Sequence, residues 1–223
     1  VLLAIDTSTR NVGIALYDGI QVISEMIWSS QDYHTVELAP AINEILDRAG
    51  IEIKDIKLCA VASGPGSFTG LRIGMAVAKG LALANHIPLI GIPTLDIVAE
   101  SQPTSLGLPL VTALHAGRGR LAVGWYVADN GHWQLNPPIE IMDAQQLSRL
   151  IREPTLVCGE FTEKQQHTLA RKYKNVILIS PAHSVRRPSL LAELAWKRWQ
   201  VGDMDDPATL SPTYLNLGTP IPG

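Results

Sequence analysis

An α/β fold built from two similarly ordered halves is what this sequence predicts, and three observations carry it. Short apolar runs of strand length alternate with segments whose apolar residues recur at three and four. A breaker-rich stretch, Gln102-Pro103-Thr104-Ser105-Leu106-Gly107-Leu108-Pro109, divides the chain near its middle. The order of elements after that stretch repeats the order before it, which suits sheets covered by helices. At 223 residues the chain is long enough for one large domain or two small ones.

The first half opens with three strands, Leu2 to Asp6, Val12 to Tyr17 and Ile20 to Trp28, the last two joined by a tight turn at Asp18-Gly19. A helix follows over 35–49: Leu38, Ile42, Ile45, Leu46 and Ala49 line one face, Thr35 can cap its start and Gly50 ends it. Leu58 to Ala62 is a bounded apolar run, readable as a buried strand. A glycine-rich loop leads from it into a helix over 70–85, then come a strand at Leu89 to Ile92 and a helix opened by Thr94.

Beyond the divide, strands are predicted at Leu110 to Leu114, Leu121 to Val127 and Ile139 to Met142, with Asp129-Asn130-Gly131 as a turn. Asp143 and Gln146 form a capping-box pair for the next helix. Then follow the strand Thr155 to Cys158, a helix from Thr162, the strand Val176 to Ile179, and a helix capped by Ser189 that ends near Gly202. Each half reads βββαβαβα, so two tandem ribonuclease-H-like subdomains are predicted, 1–103 and 104–223, facing each other across a cleft, with the tail packing back on the first.

A net charge of −3 gives no sequence-wide attraction to nucleic acid or to an anionic membrane. Cys59 and Cys158 each sit inside an apolar run, where a buried, reduced thiol is expected rather than a disulfide or a metal ligand. No apolar run approaches spanning length, so a cytoplasmic protein is expected.

The segment most suggestive of chemistry is Ser63-Gly64-Pro65-Gly66-Ser67-Phe68-Thr69-Gly70. Strand, glycine loop and helix in that order aim backbone N–H groups and a positive helix end at one point, an arrangement that holds anions. The same glycines also serve tight turning alone. No Lys-Ser or Lys-Thr follows Gly70, as a P-loop requires, and Gly64, Gly66 and Gly70 miss the dinucleotide-binding register by one residue. Ser67 lacks the flanking glycines of a nucleophile elbow.

The opening Leu3-Ala4-Ile5-Asp6-Thr7-Ser8-Thr9, the string from Gly64 through Arg72 to Gly74, Gly80-Leu81-Ala82 and Pro88 to Leu95 together resemble the TsaB (YeaZ) family. The likeness runs through most of residues 2 to 100 and is thin beyond. It implies an actin/Hsp70/sugar-kinase fold and a partner subunit of the bacterial enzyme that makes threonylcarbamoyladenosine beside the anticodon of tRNA. It further implies that the paralogous subunit TsaD does the catalysis and TsaE supplies an ATPase. This chain would then be a non-catalytic scaffold and activator of TsaD, able to pair with itself as a homodimer and reaching tRNA mainly through the complex. The alternatives are a degenerate kinase or ATPase of the same superfamily and a glycoprotease-like peptidase.

TsaD-like chains bind metal through a His-x-x-x-His pair; here Leu38 stands four after His34, and the remaining histidines have no partner at three or four, so no metal is predicted. Asp6 ends the first strand where an ATPase would place its acid, but Thr7, Ser8, Thr9 and Arg10 follow it without a glycine. The equivalent place in the second half holds His115-Ala116-Gly117, and Cys158-Gly159-Glu160 offers one glycine for an adenosine. A complete ATP clamp is absent. Asp6, Thr7, Ser8, Gly66 and Ser67 remain as anion or nucleotide contacts. No cofactor is required by this chain, with ATP or ADP at the inter-subunit interface as the one option. Arg118 and Arg120, in a predicted turn, suit either tRNA phosphates or solvent. Asn216 replaces the basic residue the family carries after its Pro-x-Tyr-Leu.

The helix from Gly70 carries only Arg72 and Lys79 as charges. Gly70, Gly74, Ala78 and Ala82 form a small-residue stripe beside the bulkier Ile73, Val77 and Leu81, so the small stripe is expected to admit another helix while the bulky one meets the sheet. The candidate interface is therefore Gly70, Arg72, Gly74, Met75, Ala78, Lys79 and Ala82, with Leu38, Ile42 and Ile45 of the preceding helix. The chain's own helix over 35–49 is the competing occupant.

Overall fold

The structure, a computed structural model, describes residues 1–31, 34–172 and 174–215. Strands β1 (Leu2–Asp6), β2 (Asn11–Tyr17), β3 (Val22–Ser29), β4 (Leu58–Gly64) and β5 (Leu89–Pro93) form one sheet in the order β3-β2-β1-β4-β5. β1 to β3 are antiparallel neighbours, whereas β1, β4 and β5 run parallel. Strands β6 (Leu110–His115), β7 (Leu121–Asp129), β8 (His132–Met142), β9 (Thr155–Gly159) and β10 (Val176–Leu178) repeat this as β10-β9-β6-β7-β8. The continuous burial of β1 and β4 explains their unbroken apolar runs, since both faces of a central parallel strand are covered.

Helices α1 (His34–Ala49) and α2 (Phe68–Asn85) cover one face of the first sheet, with Leu38, Ile42, Ile45, Met75 and Ala78 packed among Leu3, Ile5, Ile14 and Val61. α4 (Ala144–Leu150) and α5 (Glu163–Ala170) cover the matching face of the second sheet through Leu147, Ile151 and Leu169. The remaining two helices cross over. α3 (Thr94–Glu100) puts Leu95, Val98 and Ala99 against Leu110, Leu114 and Tyr126 of the second sheet. α6 (Pro188–Gln200) returns to bury Leu191, Ala192 and Ala195 against Leu2, Ala4 and Ala60 of the first. Each half thus completes the other's core.

Several elements depart from the sequence expectations. Thr35 lies inside the first turn of α1, not ahead of it. α2 begins two residues early because Ser67 accepts from the Gly70 N–H and caps it. β8 starts seven residues before the expected Ile139 and carries Pro137 and Pro138; it is an edge strand, where a missing N–H is tolerated, and its register slips between Val123 and Trp125 opposite them. α6 begins at Pro188, and its first-turn Ser189 N–H is satisfied by the Glu25 carboxylate of β3 at 2.9 Å, a cap supplied by the fold rather than by Ser189. The capping box Asp143/Gln146 forms as expected, and Thr162 and Gln165 form a second one that opens α5. Among the described residues no helix is long and apolar enough to cross a membrane.

Candidate functional site

The carboxyl ends of the parallel strands in both sheets open onto one cleft of about 1260 Å³ between the units. Ser8, Gly66, Ser67, His115, Gly159 and Glu160 are among the residues that line it. At its floor lies Arg186, from the link between β10 and α6, with its side chain 1% exposed. Its Nε donates to Asp6 Oδ2, Nη1 to Glu160 Oε1 at 2.7 Å, and Nη2 to Thr9 Oγ1 at 3.0 Å and the Asn11 carbonyl at 2.9 Å. The second Asp6 oxygen accepts from the Ser8 N–H at 2.9 Å and the Ser8 hydroxyl at 2.6 Å. Glu160 accepts in addition from Thr9 Oγ1 at 2.9 Å and Asn11 Nδ2 at 3.2 Å. One guanidinium therefore joins an acid of the first unit to an acid of the second.

Charges so deeply buried persist only when paired and hydrogen-bonded. Burial works against the Arg186 charge, but Asp6 and Glu160 outweigh it and hold the guanidinium above its ordinary value. The cluster does not fit a phosphate-bound cation. Both oxygens of Asp6 are occupied by donors from within the chain, and a positive group stands where the cation would be.

The glycine loop is equally committed. The Ser67 N–H donates to the Ser8 carbonyl at 2.6 Å, and Ser67 Oγ receives the Gly70 N–H at 3.2 Å. A side chain at Gly66 would run into the Ser8 carbonyl, and one at Gly70 into that of Thr7. Thr7 donates its hydroxyl to the Gly70 carbonyl at 2.7 Å. Asp6, Thr7 and Ser8 of the expected anion cradle are buried, and the N–H groups of Ser67 and Gly70 seat α2 on the loop after β1. Ser8, Gly66 and Ser67 do reach the cleft wall; Asp6 and Thr7 do not.

Most of the residues expected at an interface are buried within the chain itself. Gly70, Gly74, Met75, Ala78 and Ala82 are buried in the chain's own core, and a side chain at Gly74 would meet the Thr7 hydroxyl. Leu38, Ile42 and Ile45 are buried with them. The small stripe admits β1 and the loop after it, while the bulkier Ile73, Val77 and Leu81 are only partly buried. Of the interface residues named from sequence, Arg72 is exposed and Lys79 half-buried. Beyond its first turn, α2 presents Arg72, Ala76, Gly80, Leu83 and Ala84 outward. A Cβ at Gly80 would meet nothing within 4 Å.

Sequence reasoning missed Arg186, which lies 180 residues from Asp6 where no spacing rule could join them. Beside the cleft the tail lies on the first unit as a strap. The Thr213 N–H donates to the Ser63 carbonyl at 2.7 Å, Tyr214 packs on Phe68 with centroids 5.0 Å apart, and Arg72 lies 3.9 Å above the Phe68 ring while donating to the Tyr214 hydroxyl. Arg118 is exposed and Arg120 half-buried in the loop after β6. Asn216 lies outside the described residues.

Two linked units of this strand order, with a cleft at the carboxyl ends of their parallel strands, define an α/β protein of the actin-like, ribonuclease-H type. YeaZ from Pseudomonas aeruginosa has the same fold, with a TM-score of 0.80 at 24% identity over 96% of this chain and 99% of that one. A family model described as TsaD, tRNA N6-adenosine threonylcarbamoyltransferase, matches residues 21–142. The tRNA threonylcarbamoyladenosine biosynthesis protein TsaB of Bacillus subtilis is 34% identical over 97% of this chain and 94% of that protein. Its namesake in Escherichia coli is 36% identical over 66% of this chain and 67% of that protein. The chain belongs to the TsaB family.

Proposed function

We propose that this chain serves the synthesis of threonylcarbamoyladenosine in tRNA as a non-catalytic partner that activates TsaD. Its near full-length likeness to proteins named for that biosynthesis carries the reading. The cluster around Arg186 supports the non-catalytic part, because the one acid placed for phosphoryl chemistry is neutralised from within. The outward strip of α2 supports the docking part: Ala76, Gly80 and Ala84 recur at four, and a glycine with open space over it costs about 1 kcal/mol of helix propensity that nothing inside the chain requires. A helix of TsaD, or of a second copy of this chain, is the occupant such a strip admits. TsaE enters as a further member of the assembly, tRNA is reached mainly through it, and the site of work is the cytoplasm. ATP or ADP belongs between subunits rather than in the cleft of this chain.

Reconstituted modification of a tRNA transcript by TsaD and TsaE, with and without this chain, tests the reading. Activity is expected to require the chain, and undiminished activity in its absence refutes the proposal. The degenerate-kinase alternative is separated by ATP turnover of the isolated chain, which it requires to be rapid and lost in Asp6→Ala.

A further inference from the structure

The cations of the second unit gather at the end of the sheet away from the cleft. α4 leads into β9 and α5 into β10, and these strands are parallel neighbours: Val176 pairs with Thr155, whose N–H donates to the Asn175 carbonyl at 2.8 Å. The carboxyl ends of both helices therefore emerge side by side at the amino ends of the two strands. Arg149 and Arg152 stand at the end of α4, and Arg171, Lys172 and Lys174 follow the end of α5. All five are exposed, and among the described residues no ion pair or side-chain hydrogen bond engages any of them. Glu153 is the one acid in these two segments. A helix carboxyl end carries about half a negative charge, which accounts for roughly one cation at each end and not for five. In a chain of net charge −3, such a cluster makes the surface strongly polarised.

We infer that this face, formed by Arg149, Arg152, Arg171, Lys172 and Lys174, holds the phosphate backbone of tRNA. The inference rests on the proposed role in tRNA modification and adds to it a direct contact on the subunit that does no chemistry. A polyanion with closely spaced charges is the partner that five unpaired cations on two helix ends and an edge strand complement. The contact is electrostatic, hence sequence-independent and steeply salt-dependent. It lies at the opposite end of the sheet from the cleft loop that carries Arg118.

The test is binding of an unmodified tRNA transcript to the full chain, followed by fluorescence anisotropy between 50 and 200 mM salt. With about 0.7 to 0.9 counterions released per contact, five contacts predict an affinity loss of roughly 100- to 500-fold across that range. Lys172→Ala/Lys174→Ala should weaken binding about 25- to 60-fold at 100 mM salt and lower the log–log slope by about 1.4 to 1.8. Lys54→Ala/Lys57→Ala, on the first unit, is the control and should change neither. The inference is overturned if the patch variant keeps the wild-type slope, or if the wild type does not bind at 50 mM salt. Tighter patch-dependent binding to phosphatidylglycerol vesicles or to polyglutamate than to tRNA also overturns it, the vesicles testing the exposed Leu150 and Ile177 beside the cations. Reconstitution that needs the wild-type chain, with tRNA binding unaffected by the patch variant, sinks this inference alone. Patch-dependent tRNA binding by a chain that reconstitution can omit sinks the proposed function alone.

Discussion

Replacing Arg186 by methionine keeps the aliphatic bulk of the side chain and removes the charge that joins the two units. Asp6, whose side chain is 1% exposed, would keep only the Ser8 donors on one oxygen, and Glu160, 19% exposed, would lose its strongest partner. Breaking a buried ion pair by deleting one partner costs about 3–5 kcal/mol, because an uncompensated charge stays behind. At roughly 2–4 °C per kcal/mol for a chain of this size, Arg186→Met should lower the Tm by about 6–20 °C. Thermal and urea unfolding followed by circular dichroism measure this, with Asp6→Asn completing a double-mutant cycle. The two changes share one interaction, so their costs should fall short of additive by about 1–3 kcal/mol. A loss below about 1 kcal/mol for Arg186→Met, or strictly additive costs, would show that water rather than Arg186 satisfies the acids, and the clasp between the units would be refuted.

The two glycines of α2 should behave oppositely. Gly74→Leu drives a side chain into the Thr7 hydroxyl and should unfold the isolated chain, whereas Gly80→Ala, in open space, should stabilise it by up to about 1 kcal/mol; a Tm comparison decides. Leu83→Glu, on the exposed face at 62% exposure, should leave the monomer within about 0.5 kcal/mol of wild type yet abolish co-purification with TsaD, and unimpaired co-purification would move the docking face elsewhere. Burial raises the Glu25 carboxyl, but its bonds to Arg187 and Ser189 prevail and leave it below its ordinary 4.5. A lowered carboxyl stabilises above its unfolded value and loses that stabilisation as pH falls through its folded value. The stability gap between wild type and Glu25→Gln should therefore hold from neutral pH to about 4.5 and close in more acid solution, as denaturation across pH will record. Burial pushes the thiols of Cys59 and Cys158 up to about 12, so neither should react with a thiol reagent at pH 8 until the chain is unfolded.

Much of the architecture was readable from local pattern. The bounded apolar runs became β1, β4, β6 and β9, and the pair Asp143/Gln146 became a cap, because burial on both faces and a first-turn N–H leave short-range marks. The site was less legible. Asp6 was singled out as an acid at a strand end, but its role depended on a guanidinium brought from the far end of the chain. The cap of α6 likewise came from Glu25, whose position in β3 carries no helix signal.

By itself, then, the sequence determined the order of elements, the doubled βββαβαβα plan and the resemblance to one family, all of which rest on periodicity or on contiguous strings. Tertiary structure decided which face of α2 turns inward. Small and bulky stripes run side by side along that helix, so its apolar pattern leaves the rotation about its axis open; the Thr7 hydroxyl on the Gly70 carbonyl and the close approach at Gly74 close it. It decided equally that α3 and α6 exchange sheets, since a helix's apolar stripe says that it is covered but not by what. The clasp at Arg186 belongs to the same class: a buried charge needs a partner, and only the folded chain determines which one lies within 3 Å.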